Sequence, residues 1–377
     1  MGVLKGSISF TRFKVVDKPE NEYLDAVKHY AFNEIEEDSD AEVSSGWVSL
    51  IEEDTQLDAP DFLKGSYLTL LLRVDNRRVP TTALKNNFKK VLKEKYIAGE
   101  KLSKSDRQEI KETIRLQLLK KVIPTTKTYS MVWNIKNGSI VFESANAKVC
   151  DMFIDIFNET FGLKLKRMFP YTLAEQLIDS SLHSSLRNST ETDFISRTNF
   201  PSNYSENVVE LLDIKRFLGQ EFLIWLWNCG RTSTVFKNCS LWCGDRMVLI
   251  SGEDTKVTCE GDIIVMGEVK KGLAQGRKMI ECRFSIEKED REYEFTLDDI
   301  WMNFKSCKLP KVPLDKDDMD GAFLERMYLL EEVVGMVDHL FKLFIETKFS
   351  IDWKTFVNSI SDWLQDICDD KDCDNIG

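Results

Sequence analysis

Two amphipathic helical segments lie between strand-like segments, and this arrangement constrains the fold more than any other feature of the sequence. Residues 67–74 (Tyr-Leu-Thr-Leu-Leu-Leu-Arg-Val) are almost continuously apolar, which is typical of a strand buried on both faces. Residues 128–134 and 139–143 flank Asn137-Gly138, a pair that favours a tight hairpin turn. Because the strands on both sides of the two helical segments are expected to share a sheet, we predict an α+β protein with mixed sheets and an inserted helical hairpin.

The inserted segment, residues 81–123, has the periodicity of two helices. Apolar residues recur at three- and four-residue spacing in each half: Leu84, Phe88, Val91 and Leu92, then Ile110, Ile114 and Leu118. Gly99 interrupts the pattern, Ser103 and Asp106 have the spacing of a capping box, and Pro124 ends the segment. We therefore predict a hairpin of two antiparallel helices, with one apolar side and one cationic side.

This segment is basic, although the chain as a whole is acidic. Residues 81–128 contain thirteen Lys and Arg and five Asp and Glu, a net charge of +8, whereas the whole chain carries −12. A concentrated positive field attracts a polyanion, and lysine contacts to phosphate carry no sequence information. Lys89, Lys93, Lys104, Arg107 and Lys111 are the strongest candidates. The full set of predicted DNA-binding residues is Arg77, Arg78, Lys85, Lys89, Lys93, Lys101, Lys104, Arg107, Lys111 and Arg115.

The order of motifs in the N-terminal half supports the nucleic-acid interpretation. The motifs are Phe10-Thr11-Arg12, Gly46-Trp47-Val48, Arg78-Val79-Pro80, Thr128-Tyr129, Asn137-Gly138 and Ser144-Ala145-Asn146-Ala147-Lys148. In this order they resemble the RdgC family of recombination-associated DNA-binding proteins. The resemblance covers roughly residues 1–175 and is looser beyond them.

The resemblance implies a ring-shaped homodimer that encircles double-stranded DNA with little sequence preference and restrains RecA-driven strand exchange. It also implies a cytoplasmic, nucleoid-associated protein. In the family an aromatic residue contributes to the contact between the two helical hairpins. Val122 and Ile123 occupy that place here and are the predicted dimer contact.

We predict three subdomains. Residues 1–80 and 124–175 form a discontinuous central α+β domain, residues 81–123 the basic hairpin, and residues 176–377 a C-terminal α+β domain. In the last, strands are predicted at 247–250, 262–268, 279–286 and 292–295, followed by helices at 321–347 and 353–367. The run from Phe222 to Trp227 is more typical of a core than of a membrane anchor.

Two other functions are compatible with the sequence. A metal-dependent nuclease could use Asp262, Glu268 and Lys270, which would share one face of the predicted strand. However, roughly 20 Å would separate the two carboxylates, too far for one metal ion. A scaffold that binds an acidic protein is the third possibility.

We expect no cofactor, bound metal or membrane span. A Gly-x-x-x-x-Gly-Lys phosphate loop is missing, and no apolar run approaches the length of a membrane span. The nine cysteines include no Cys-x-x-Cys pair, so we expect reduced thiols rather than a zinc site.

Overall fold

The computed structural model describes residues 2–4, 6–17, 23–36, 38–50, 57–58, 62–199, 207–232, 239–252, 255–261, 264–312 and 318–366. The chain divides into two compact units. Unit 1 comprises Met1–Lys14, Val141–Cys150 and Lys166–Gly377, and unit 2 comprises Val15–Ile140 and Asp151–Leu165. Both units combine helices with antiparallel strands, so the α+β class is confirmed. The three-subdomain division stays a prediction.

The elements follow one another in chain order. The N-terminal half contains β1 (Ile8–Val15), α1 (Tyr23–His29), β2 (Val43–Val48), β3 (Leu63–Lys64), β4 (Tyr67–Asn76), α2 (Thr81–Ile97), α3 (Lys104–Leu119), β5 (Thr125–Asn134), β6 (Ser139–Phe142), α4 (Ala147–Phe161), β7 (Leu165–Arg167) and α5 (Pro170–Leu177). The C-terminal half contains α6 (His183–Arg187), β8 (Thr192–Asp193), β9 (Thr198–Asn199), α7 (Val208–Ile214), α8 (Phe217–Thr232), β10 (Cys239–Ile250), β11 (Lys256–Glu260), α9 (Ile264–Ala274), β12 (Lys278–Lys288), β13 (Arg291–Asp298), β14 (Phe304–Lys308), α10 (Met319–Lys348) and α11 (Trp353–Gln365).

In unit 2, the predicted apolar strand β4 lies at the centre of an antiparallel sheet. It pairs with β5 along ten residues and with β2 along six, while the short β3 pairs with its first residues. Gly46 in β2 packs against the backbone of Phe32 so closely that a Cβ atom there would lie 2.5 Å from the Phe32 Cα atom. A glycine is therefore needed at this position of the Gly46-Trp47-Val48 motif.

Aromatic side chains form the core of unit 2. Trp47 packs edge-on against Phe153, and its indole nitrogen donates a 2.8 Å hydrogen bond to the Thr160 hydroxyl. Trp133 of β5 packs against Phe157 of α4, with 5.4 Å between ring centroids. Edge-to-face packing of this kind stabilises a core beyond the burial of apolar area alone. This core fixes the strands from which the helical hairpin extends.

Unit 1 contains an antiparallel sheet with the strand order β11-β10-β12-β13-β14-β1. The Trp-rich run lies on α8 and is buried: Phe222 packs against Phe341 of α10, and Trp227 against Trp363 of α11. The core interpretation of this run is therefore confirmed. Helix α10 has 30 residues, but neither it nor any other helix in the described ranges is apolar enough over the length needed to cross a membrane.

One local prediction was wrong. The segment predicted as a strand at 262–268 forms helix α9 from Ile264, because a short apolar run fits a buried helix as well as a buried strand. Earlier in the chain, the strand β7 has only three residues, and Pro170 then starts α5. Proline is favoured at the first helical position because its missing N–H needs no partner there.

Candidate nucleic-acid interface

The two predicted helices of the basic segment are present as α2 and α3. Helix α2 has 17 residues and α3 has 16, so each is about 25 Å long. They pack against each other and are joined by a short turn at residues 98–103, in which Gly99 adopts a φ of 75°. This left-handed conformation favours glycine, which explains why the helical pattern breaks there.

The start of α3 is fixed by a reciprocal cap. The Ser103 hydroxyl accepts a 3.2 Å hydrogen bond from the Asp106 N–H, and the Asp106 carboxylate accepts a 2.8 Å bond from the Ser103 N–H. These two bonds to Ser103 hold the pKa of the Asp106 carboxyl below its usual value. The predicted capping box is therefore confirmed, and one of the five acids of the segment is committed to it.

The apolar stripes of the hairpin are only partly covered. No α2 side chain is fully buried, and in α3 only Ile114 and Leu119 are. Each helix covers one side of the other, so the remaining apolar surface stays partly accessible to water. Most of the other side chains of the two helices are polar or charged and are exposed.

Seven of the ten predicted DNA-binding residues lie on the hairpin and share two properties, and we call them the hairpin cations. Their side chains are exposed, and no ion pair engages them within the described part of the chain. They are Lys85, Lys89, Lys93, Lys101, Lys104, Arg107 and Lys111. Because residues three or four apart lie on the same helix face, Lys85, Lys89 and Lys93 line one face of α2. Lys104, Arg107 and Lys111 do the same on α3.

Acidic residues do not cancel this charge. Glu100 forms a 2.7 Å ion pair with Lys95, and Glu112 forms one of 2.8 Å with Arg115. Both acids are therefore neutralised by residues that are not among the seven hairpin cations. Asp106 is held in the cap, so within the described residues Glu94 and Glu109 are the two acids of the five that are neither paired with a cation nor part of the cap. The exposed surface of the hairpin therefore has a positive excess over its whole length, as contact with a series of phosphates requires.

The three arginines that complete the predicted set lie in different environments. Arg77 is buried, and its guanidinium donates hydrogen bonds of 2.9 Å to the carbonyls of both Ile35 and Glu36. We therefore remove Arg77 from the predicted contacts, since its donors hold a loop. Arg115 is also committed, because it pairs with Glu42 as well as Glu112. Arg78 is exposed and remains a candidate.

A polar cavity of about 470 Å³ lies at the base of the hairpin, where α3 leads into β5. Its wall includes Lys120, Lys121, Arg73 and Asp75. Burial raises the pKa of Asp75, but hydrogen bonds from Arg73 and Thr126 outweigh this effect, so the pKa lies below its ordinary value. The Asp75 carboxylate therefore stays charged and balances Arg73. The exposed Lys121 is a candidate that the sequence prediction omitted, although it lies in the basic segment.

The predicted dimer contact lies at this base. Val122 is half-buried, whereas Ile123 is 86% exposed. At the other end of the hairpin, before the turn, Tyr96 and Ile97 are 82% and 74% exposed. The sequence prediction did not single these two out, although they follow the last position of the α2 apolar stripe. The hairpin thus has exposed apolar side chains at both ends.

The described residues do not assemble the predicted nuclease site. Glu268 and Lys270 lie two residues apart on α9, so they point to different sides of the helix. Lys270 packs over the Trp363 ring, and Asp262 lies outside the described residues. Nowhere in the described ranges do three His, Cys, Asp or Glu side chains group so as to hold a metal ion.

Comparison with known proteins adds one match. Residues 12–179 match the family model described as "RdgC: Putative exonuclease, RdgC", which confirms the resemblance over less than half of the 377 residues. The matched segment contains the whole helical hairpin and the strands on both sides of it. No curated protein matches the chain.

Proposed function

We propose that this chain, which matches the RdgC family over residues 12–179, binds double-stranded DNA without sequence preference through its α2–α3 hairpin. The observation that carries the proposal is the group of seven exposed hairpin cations, on a protein whose net charge is −12. Such a surface fits the phosphates of DNA. Each phosphate that a lysine or arginine neutralises releases a condensed counterion, and this release favours binding.

The proposed binding does not read the base sequence. The hairpin cations are mostly lysines, which act on phosphate as point charges, and phosphate contacts position a protein without specifying a site. The overall acidity of the chain opposes binding elsewhere on its surface. DNA should therefore bind at the hairpin rather than coat the protein.

The proposal extends from DNA binding to a biological role in recombination. Following the resemblance, we propose a homodimer that closes around duplex DNA in the nucleoid and obstructs RecA-type strand exchange as a steric barrier. Ile123, Tyr96 and Ile97 supply exposed apolar surface for a contact between the two copies. Burying such side chains from water stabilises an association between proteins.

Charge reversal tests the proposal. The triple variant Lys89→Glu, Lys93→Glu, Arg107→Glu should weaken binding to a labelled random duplex by at least about 100-fold at low salt, because it removes three attractive charges and adds three repulsive ones. Fluorescence anisotropy without Mg²⁺ measures the dissociation constant.

A second triple variant provides the matched control. Lys148, Lys256 and Lys354 are exposed residues outside the hairpin, and replacing all three by Glu changes the net charge equally. This control should bind nearly as tightly as wild type. Equal losses in both variants would mean that net charge, and not the hairpin, governs binding. If wild type fails to bind DNA, an acidic protein becomes the preferred partner.

The description of the matched family as an exonuclease supports a second candidate, metal-dependent DNA degradation. It is tested by incubating labelled duplex with the protein in the presence and absence of Mg²⁺. We expect intact DNA in both. Degradation that requires Mg²⁺ and disappears in Glu268→Ala would instead establish the nuclease.

A further inference from the structure

Two cysteines of unit 1 lie in direct contact. Cys243 is on β10 and Cys282 on the neighbouring strand β12, and their sulfur atoms are 3.1 Å apart. Both are free thiols. A disulfide bond has a sulfur–sulfur distance of about 2.0 Å, so a side-chain movement of about 1 Å would bring the sulfurs to bonding distance.

An irregularity in the sheet creates this contact. Cys243 is opposite Phe284 and Met247 is opposite Cys282, so three residues of β10 face the single residue Arg283 of β12. Such a bulge bends its strand and redirects the neighbouring side chains. Gly244 begins the bulge and packs on Arg283, where an added Cβ atom would lie 2.8 Å from the Arg283 Cγ atom. The glycine thus permits the backbone path that brings the two thiols together.

The two thiols are not equivalent. Cys282 is fully buried, whereas Cys243 is half-buried and follows Trp242, which is 46% exposed. Burial, together with the neighbouring Cys243, raises the pKa of the Cys282 thiol well above its ordinary value. A small oxidant from solvent therefore reaches Cys243 first, and Cys282 is the protonated partner behind it.

We propose that Cys243 and Cys282 form a site of reversible oxidative modification whose co-reactant is hydrogen peroxide. The Cys243 thiolate attacks one peroxide oxygen, the O–O bond breaks, and hydroxide leaves, which gives a sulfenic acid at Cys243. The Cys282 sulfur then attacks the Cys243 sulfur. The sulfenic hydroxyl leaves with the Cys282 proton as water, and the disulfide has formed. Two thiols and one peroxide thus give one disulfide and two waters, and a dithiol reductant reverses the reaction.

Two buried cysteines, Cys229 and Cys307, are poorer sites for the first attack on peroxide. Burial raises the pKa of both Cys229 and Cys307 to about 12, so almost none of either thiol is ionised near neutral pH. Thiolate is the form that reacts with peroxide. The contact at Cys243 also lets the sulfenic acid be captured by Cys282 before further oxidation, which a solitary cysteine cannot do.

Peptide mapping without reduction tests the proposal on the full-length protein. After brief treatment with hydrogen peroxide, we expect a linked pair of peptides containing Cys243 and Cys282, with the loss of two hydrogen masses and recovery of both thiols after dithiothreitol. A wild-type protein that instead gains oxygen atoms at Cys243, or stays unmodified, would overturn the proposal.

Two variants sharpen this test. In Cys282→Ala the sulfenic acid at Cys243 has no partner, so dimedone, which reacts with sulfenic acids, should label Cys243 at least about 10-fold more than in wild type. In the matched control Cys239→Ser, which changes a half-buried cysteine on the same strand, the linked peptides should form as in wild type. Dimedone labelling that does not rise in Cys282→Ala would contradict the capture step, even if that variant is less stable.

Discussion

At the scale of single residues, Lys215 in unit 1 shows how burial changes the chemistry of a charge. Its side chain is almost completely buried and donates a 2.8 Å hydrogen bond to the Ser189 carbonyl. Burial, with a smaller contribution from the positive charge of Lys348, lowers the pKa of Lys215 to about 8. An unfolded lysine has a pKa of about 10.4, so between these values the unfolded chain binds more protons than the folded one.

The folded state should therefore gain stability from Lys215 as pH rises from about 8 to about 10, by up to about 1.4 kcal/mol per pH unit. Lys215→Met removes this gain and flattens the pH dependence of the free energy of unfolding. Urea denaturation at both ends of this range measures the difference between variant and wild type. Lys354→Met, at an exposed lysine, should leave the pH dependence as in wild type. Equal curves for wild type and Lys215→Met would contradict the account.

Arg77 is a second residue whose role depends on burial, and its mutation should affect the stability of the protein rather than DNA binding. Arg77→Met leaves the carbonyls of Ile35 and Glu36 without their donor and should cost about 2 kcal/mol or more in the free energy of unfolding. Arg78→Met, at the exposed neighbour, should change that free energy by less than about 0.5 kcal/mol. A folded Arg77→Met protein that binds DNA as wild type does would support the removal of Arg77 from the interface. Impaired DNA binding by an Arg77→Met protein that is as stable as wild type would show that Arg77 contacts DNA after all.

At the scale of elements, the sequence predicted what local patterns determine. The apolar run of β4, the two helices around Gly99 and the cap at Ser103 all depend on residues within a few positions of each other. Helix α9 was mistaken for a strand because its short apolar run has no distinguishing period. The commitment of Arg77 to a loop some 40 residues earlier was also invisible, since that contact depends on tertiary structure.

The cap at Ser103 yields a prediction for the hairpin itself. Ser103→Ala removes the hydroxyl that accepts from the Asp106 N–H and should lower the local stability of the first turn of α3 by about 1 kcal/mol. Hydrogen exchange of the amides in that turn measures this loss. Ser105→Ala, inside the same turn and outside the cap, is the matched control and should leave exchange unchanged. Unchanged protection in Ser103→Ala would show that packing between the helices, not the cap, holds the turn.

At the scale of the whole molecule, distant segments of the sequence meet in ways that local patterns do not reveal. Strand β1 begins at Ile8 and pairs with β14, with Ile8 opposite Cys307. Nothing near either strand indicates its partner, because apolar alternation gives the face of a strand but not its neighbour. The concentration of charge in the hairpin was predictable, since it is a property of consecutive residues.

Self-association is the prediction that belongs to the molecule as a whole. If the proposed homodimer forms, sedimentation should give about twice the chain mass of 43.6 kDa. Ile123→Glu places a charge at the proposed contact and should weaken the dimer by about 10-fold or more, because the charge loses its hydration there. Ile351→Glu changes a side chain that is 95% exposed elsewhere, and it should not affect the dimer. A monomer at all concentrations would reject the ring, and dimers of equal strength in both variants would reject Ile123 as a contact.

The salt dependence of DNA binding tests the central claim most directly. For duplex DNA the logarithm of the binding constant falls with the logarithm of salt concentration by about 0.9 for each phosphate neutralised. The account predicts that the triple variant Lys89→Glu, Lys93→Glu, Arg107→Glu has a slope smaller than that of wild type by about 2.7 or more, while the Lys148, Lys256 and Lys354 control keeps the wild-type slope. An unchanged slope in the hairpin variant would show that these residues do not contact DNA, and the proposed interface would be wrong.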